Sequence, residues 1–170
     1  MDPLVLILRL LHVGLGVFWV GAVLFVTFLL LPAMGEAGPA AGAVMAGLQK
    51  RRMMEILPLV AVITIISGFW LYGRNAGGID GWAGTRVGIA LGTGGLLATI
   101  ALVLGFVVVR PASIRATTLL AEVTQVPEGP ERASRMAAAQ ELRLRSIKWS
   151  RIIAVLLIVT TALMAVAQNL

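Results

Sequence analysis

The chain has 170 residues, a formal net charge of +6 and no cysteine; 59% of its residues are hydrophobic and 13% are charged. Soluble domains carry about 25% charged residues, and none of this length could hide so much apolar surface from water. The absence of cysteine excludes disulfides, thiolate metal sites, iron–sulfur clusters and covalent c-type haem attachment.

Four apolar stretches cover about residues 4–31, 53–72, 86–109 and 150–167. A helix needs about 20 apolar residues to cross a hydrocarbon core of about 30 Å, and each stretch approaches or exceeds that. The sequence therefore predicts an all-α fold, an integral membrane four-helix bundle occupying residues 1–170 as a single transmembrane domain. The first stretch is much longer than the apolar core of a cleavable signal peptide, about 7–15 residues.

In span one, His12 is the only histidine, and Arg9 lies one turn before it. The histidine sits roughly 12 Å along the helix from Leu4 at about 1.5 Å per residue. His12, Gly16 and Trp19 recur at i, i+4 and i+7 and share one face. A glycine gives clearance and an imidazole can ligate iron, so this face could meet a flat macrocycle. A histidine hydrogen-bonded to a neighbouring helix, or sitting in an outer vestibule, is the commoner explanation of the residue, and copper is a third reading. Copper is disfavoured because Met34, Met45, Met53 and Met54 fall toward the other end of the spans and show no repeated ligand spacing.

The first connection carries Lys50, Arg51 and Arg52, with Glu55 within reach of either arginine at the start of span two. The second connection holds Gly77-Gly78, a turn signal. Trp82 anchors the entry to span three, and Arg86 opens it. Gly84, Gly88 and Gly92 then recur every four residues, a spacing that lets a second helix come close. Arg86 lies about 200° around the helix from Gly88. The glycine seam serves helix packing inside the bundle or a partner interface.

The third connection is itself helical. Residues 113–126 and 131–150 are rich in Ala, Leu, Glu, Gln and Arg, and Pro127, Gly129 and Pro130 separate them. Spans three and four are thus expected to continue as a helical hairpin over about residues 113–149. It reads as a solvated amphipathic hairpin or as a docking surface. Trp149 belongs at the membrane interface.

Charge orients the molecule. Lys50, Arg51, Arg52, Arg110, Arg115, Arg132, Arg135, Arg143, Arg145, Lys148 and Arg151 flank one end of the spans, and only Arg9, Arg74 and Arg86 lie toward the other. The positive-inside rule puts the eleven-residue side in the cytoplasm and both termini outside. The basic run then marks topology and contact with anionic headgroups of the lipid bilayer, not nucleic acid. Arg9, His12 and Arg86 come to a similar depth on the outer side, where they could gather around one anionic ligand.

Leu11-His12 followed by Trp19 and Gly21 resembles the first span of the bacterial copper-resistance D-type proteins and of the related membrane protoporphyrinogen oxidases. Arg51-Arg52 before a span ending in Thr64, Gly68, Trp70 and Leu71 is similar to their second span, and Gly81-Trp82 with Arg86 to the opening of their third. The resemblance covers spans one to three, and span four by hydropathy alone. It implies a four-helix bundle of a bacterial-type inner membrane in which His12 contacts haem or porphyrin, with Arg9 and Arg86 beside the acid groups and Gly16 and Trp19 lining the site. The oxidases use a lysine where this chain has Arg86. Arginine keeps the charge but does not readily release its proton, which argues against oxidase chemistry.

No other catalytic set is complete. There is no Ser/His/acid grouping, no phosphate-binding loop and no mid-span acid that could couple a transporter. Two functions follow from the sequence. One is a small membrane bundle that binds haem or a porphyrin on its outer side, His12 being the metal ligand. The other is a cofactor-free accessory subunit that docks on other membrane subunits or on a second copy of itself.

Overall fold

The computed structural model describes residues 2–77 and 79–170. Gly78, half of the turn expected in the second connection, lies outside them. The described residues form five helices and no strand: α1 (Pro3–Glu36), α2 (Ala41–Lys50), α3 (Met53–Ala76), α4 (Arg86–Val123) and α5 (Pro130–Val166). The fold is an all-α four-helix bundle.

α1, α3, α4 and α5 are long and apolar enough to cross a membrane, and only 11% to 22% of each apolar window is buried inside the protein. The apolar side chains that remain face outward, as expected of a multi-pass membrane protein. The four run up, down, up and down. Each packs on the next in sequence, and α1 and α5 close the ring. At about 1.5 Å per residue, the 38 residues of α4 span about 57 Å, nearly twice the hydrocarbon core. α4 and α5 therefore project beyond the other helices as the expected hairpin. Its zipper is Ala112, Ala116, Val123, Ala139 and Ser146, all buried. Arg135 ties it at the far end to Glu122 and Glu131, at 3.1 and 2.7 Å.

Local sequence explains the helix ends. Asp2 accepts a 3.0 Å hydrogen bond from the Leu4 amide, with Pro3 at the first helical position. Thr85 caps α4 in the same way, its hydroxyl oxygen accepting from the Gly88 amide at 3.0 Å. α5 starts at Pro130 with Glu131 in its first turn.

Two helices carry a wide π turn in mid-course, Val26–Leu30 in α1 and Gly105–Val109 in α4. Each is followed by an X–Pro pair, Leu31-Pro32 and Arg110-Pro111. A helical proline removes one amide donor, and its ring presses on the carbonyl four residues earlier. Those carbonyls belong to Phe28 and Val107, inside the two π turns. The extra residue per turn makes room for the ring without breaking the helix.

α2 is absent from the sequence reading, which leaves 32–52 as a simple connection. Ala41, Met45 and Leu48 form its half-buried stripe at i, i+4 and i+7. Gly42 and Gly47 lower helix propensity on either side. Packing of that stripe over the end of the bundle is what holds the segment helical.

At mid-depth the core is Trp19, Ala61, Ala98, Ala101, Ile153 and Leu157, which brings all four long helices together. Half of it is alanine. Lipid tails are as apolar as leucine, so helix association here depends on close packing and not on removing apolar surface from water.

Candidate functional site

The described residues contain two places with chemistry. The first is the α1–α3 seam near the chain termini, where His12 sits. His12 Nδ1 donates to the Thr64 carbonyl at 2.8 Å. A carbonyl can only accept, so this bond places a proton on Nδ1 and leaves Nε2 outside it. Ser67 Oγ, held by the carbonyls of Ile63 and Thr64 at 2.8 and 3.0 Å, lies 3.5 Å from Nδ1. The ring rests against Gly68: a Cβ built there would stand 2.6 Å from His12 Cε1. Gly16, one turn further on, faces Thr64 Cγ2. The shared face read from the sequence is real for His12 and Gly16, and its partner in this structure is α3.

The other residues expected near His12 lie elsewhere. Trp19 is 6% exposed and points into the central core. Arg9 and Arg86 are exposed. Among the described residues no hydrogen bond or ion pair joins them to His12 or to each other. Three like-charged groups have no reason to converge without an anion between them, and snorkelling to the polar phase satisfies the two arginines separately. No three His, Asp or Glu side chains among the described residues come together as a metal site.

The glycines of span three also have partners within the chain. Gly88 is buried against the Trp82 carbonyl of its own preceding turn, so its smallness serves the cap at Thr85. Gly92 faces the Tyr72 hydroxyl of α3, and Tyr72 donates to the Gly88 carbonyl at 3.3 Å. Gly84 has open space where a Cβ would be. The close approach of α4 to α5 lies one turn further, at Gly94, which meets Met164 and the Thr160 backbone. Thr160 donates to the Gly94 carbonyl at 3.3 Å. Sequence spacing missed Gly94 because it breaks the four-residue repeat.

The second place is at the opposite, basic end. A cavity of about 190 Å³ opens inside the bundle there, between Trp19 and the α2 cap. Its walls include Val26, Thr27 and Leu30 from the first π turn, Gly105, Phe106 and Val109 from the second, and Pro58 from α3. Met34, Met45, Met53 and Met54, unrelated by sequence spacing, come together around it. The two π turns face each other across the void. Each displaces its helix by part of a turn at the level where four packed helices would otherwise meet. Besides Thr27, the polar groups gather at one rim: Arg110, whose guanidinium lies 5.7 Å from the Phe106 ring centre, Ser150, and the Ser113–Ser146 pair at 2.8 Å.

A second cleft, of about 300 Å³, adjoins the cavity between α1 and α5. Thr27 and Leu31 line both. The cleft adds Pro32 and Gly35 from α1, and Gln140, Arg143, Ile147 and Arg151 from α5. Gly35 leaves room for the Arg143 guanidinium, which a Cβ there would meet at 3.9 Å.

Comparison with known protein families, known proteins and solved structures finds no match. The chemistry of this chain therefore rests on its own geometry.

Proposed function

We propose that this protein is a multi-pass binding protein of a bacterial-type inner membrane, with both termini outside, that lodges an apolar or amphiphilic molecule in the cavity at its basic, cytoplasmic end. The observation that carries this reading is the pair of proline-driven π turns facing each other across a methionine-lined void. π turns recur at functional sites, and methionine walls adapt to varied apolar shapes. Ligand sites in bundles lie between the helices, lined by apolar side chains with a few polar groups at one edge.

Trp19 supplies the test, because it forms the inner wall. In a protein with Trp70, Trp82 and Trp149 changed to Phe, a brominated alkane should quench Trp19 fluorescence saturably. Ser150→Phe, which places a ring in the void at a residue with no hydrogen bond, should abolish the saturable part. Equal, unsaturating quenching in both proteins would defeat the proposal.

A second reading is haem or porphyrin binding at His12, as the resemblance implies. One observation favours it. Histidines that ligate metals usually donate their other ring N–H to a carbonyl or carboxylate, and His12 Nδ1 does so to Thr64. Purified protein supplied with haem should then show a Soret band that His12→Ala removes. No band after supplementation would rule haem out.

An accessory-subunit role would have to use surfaces other than Gly88 and Gly92, which pack within the chain. The outward faces of the spans and the exposed face of the α4–α5 hairpin are the surfaces left to it.

A further inference from the structure

We infer that the cleft between α1 and α5 is the headgroup site of an anionic glycerophospholipid from the adjoining leaflet, with an acyl chain in the methionine-lined cavity. This rests on the binding role proposed above and names the ligand class.

The first support is charge. Arg143 and Arg151 line the cleft, and neither forms an ion pair or side-chain hydrogen bond with another described residue. Of the other hairpin arginines, Arg132 pairs with Glu128 and Arg135 with Glu122 and Glu131, while Arg115 and Arg145 form no pair with a described residue but line neither space. Glu36 and Glu141, the nearest acids in sequence, line neither space. Two free guanidiniums and the Gln140 amide offer a fork of N–H donors suited to phosphate.

The second support is Thr27. It is 2% exposed and lies at the junction of cleft and cavity. Thr64, Thr99, Thr117, Thr118 and Thr161 each donate to the carbonyl four residues earlier, at 2.8 to 3.1 Å. Thr27 has no such bond, nor any other to a described residue. Its helix is in the π turn there, and the residue lines both spaces, so its hydroxyl is free to bond a ligand that enters them.

The third support is depth. Arg151 is the last cation of α5 before the apolar run that starts at Ile152. The cleft thus sits where hydrocarbon gives way to headgroups. From membrane surface inward the order is guanidiniums, one hydroxyl, then an apolar void. A phospholipid presents phosphate, ester oxygens and acyl chain in that same order. The cleft between α1 and α5 gives it lateral entry.

Native mass spectrometry on the full chain in detergent tests this, with phosphatidylglycerol, phosphatidylcholine and glycerol 3-phosphate as probes. One phosphatidylglycerol should bind at least about tenfold more tightly than phosphatidylcholine, the scale of a charge-assisted pair. Arg143→Gln with Arg151→Gln should erase that preference while leaving the weaker lipid binding. Thr27→Val, nearly equal in volume, should weaken both lipids about threefold or more. Equal binding of the two lipids, indifferent to the arginine changes but lost in Ser150→Phe, would overturn the headgroup site and spare the cavity. Binding that survives Ser150→Phe undiminished would overturn the cavity reading itself. Glycerol 3-phosphate bound as tightly as the lipid would mean a free-anion site, and the lipid assignment would fail.

Discussion

Replacing Gly68 with alanine probes the polar contact between α1 and α3. The new Cβ would stand 2.6 Å from His12 Cε1 and 3.0 Å from Nδ1, where ordinary contact begins at 3.4 Å. The ring must withdraw by about 1 Å, or α1 and α3 must part by as much. Either movement stretches the 2.8 Å bond to the Thr64 carbonyl beyond useful length. Loss of an interhelical hydrogen bond in a membrane protein costs about 0.6 kcal/mol on average and up to about 1.7. Overpacking adds about 1–3 kcal/mol. We expect Gly68→Ala to destabilise the folded bundle by about 1.5–3 kcal/mol, measured by reversible denaturation in mixed micelles. His12→Ala alone should cost about 1 kcal/mol. In the double variant the alanine at 68 meets no ring, so its added effect should fall close to zero. The coupling energy of the cycle should therefore nearly equal the cost of Gly68→Ala. The same cost in both backgrounds would refute the contact between His12 and Gly68.

Three further outcomes follow from the packing. Leu157 is fully buried among the four long helices; Leu157→Ala should lower stability by about 1–3 kcal/mol, below the range for soluble cores because lipid offers no transfer term, and no change in the denaturation midpoint would contradict that packing. Gly94→Leu should cost about 2 kcal/mol or more by separating α4 from α5 at Thr160 and Met164, whereas Gly84→Leu should be nearly silent because nothing lies near it; reversed rankings would overturn the assigned seam. Arg52 adopts φ 57° ahead of α3, a conformation costing a side-chain-bearing residue about 1–2 kcal/mol, and its ion pair with Glu55 is exposed and worth little. Arg52→Gly should leave the thermal midpoint equal or raised, by at most about 1 kcal/mol after the flexibility of glycine is counted, and a clear fall would show that the arginine side chain anchors the turn.

How far the sequence reveals this molecule depends on what each signal averages over. The four spans are legible because about 20 apolar residues in a row admit few alternatives, and Pro127, Gly129 and Pro130 mark the hairpin turn for equally local reasons. α2 escapes notice because its stripe of Ala41, Met45 and Leu48 is short and glycine-flanked, so tertiary packing decides it. The His12–Gly16 face is readable from helical period, but period cannot say which neighbour covers it. Trp19 shows the limit: at seven residues from His12 it falls on nearly the same face, yet its large ring turns toward the core where alanines leave room. The cavity is the least legible feature. Its four methionines come from three helices, and no spacing relates them. A usable signal did exist in Leu31-Pro32 and Arg110-Pro111, because a proline after an apolar helical run demands a local accommodation.

Those two prolines also join the fold to its chemistry. A bundle whose mid-level core is half alanine closes tightly, as Ala61, Ala98 and Ala101 do around Leu157. Above that level the π turns push α1 and α4 outward, and the same chain that packs closely at Ala101 is open at Gly105. The opening is then floored by Trp19, capped by α2 and joined by the cleft between α1 and α5, where the unpaired arginines stand. Changing Pro32 or Pro111 to alanine should therefore do two things at once. Each removes a ring clash and restores an amide donor, so the π turn is expected to relax to a regular helix and stability to hold or rise. The void between the turns should shrink, and saturable quenching of Trp19 should fall. A variant that gains stability and keeps full ligand access would separate the prolines from the cavity, and the link drawn between helix distortion and binding would be wrong.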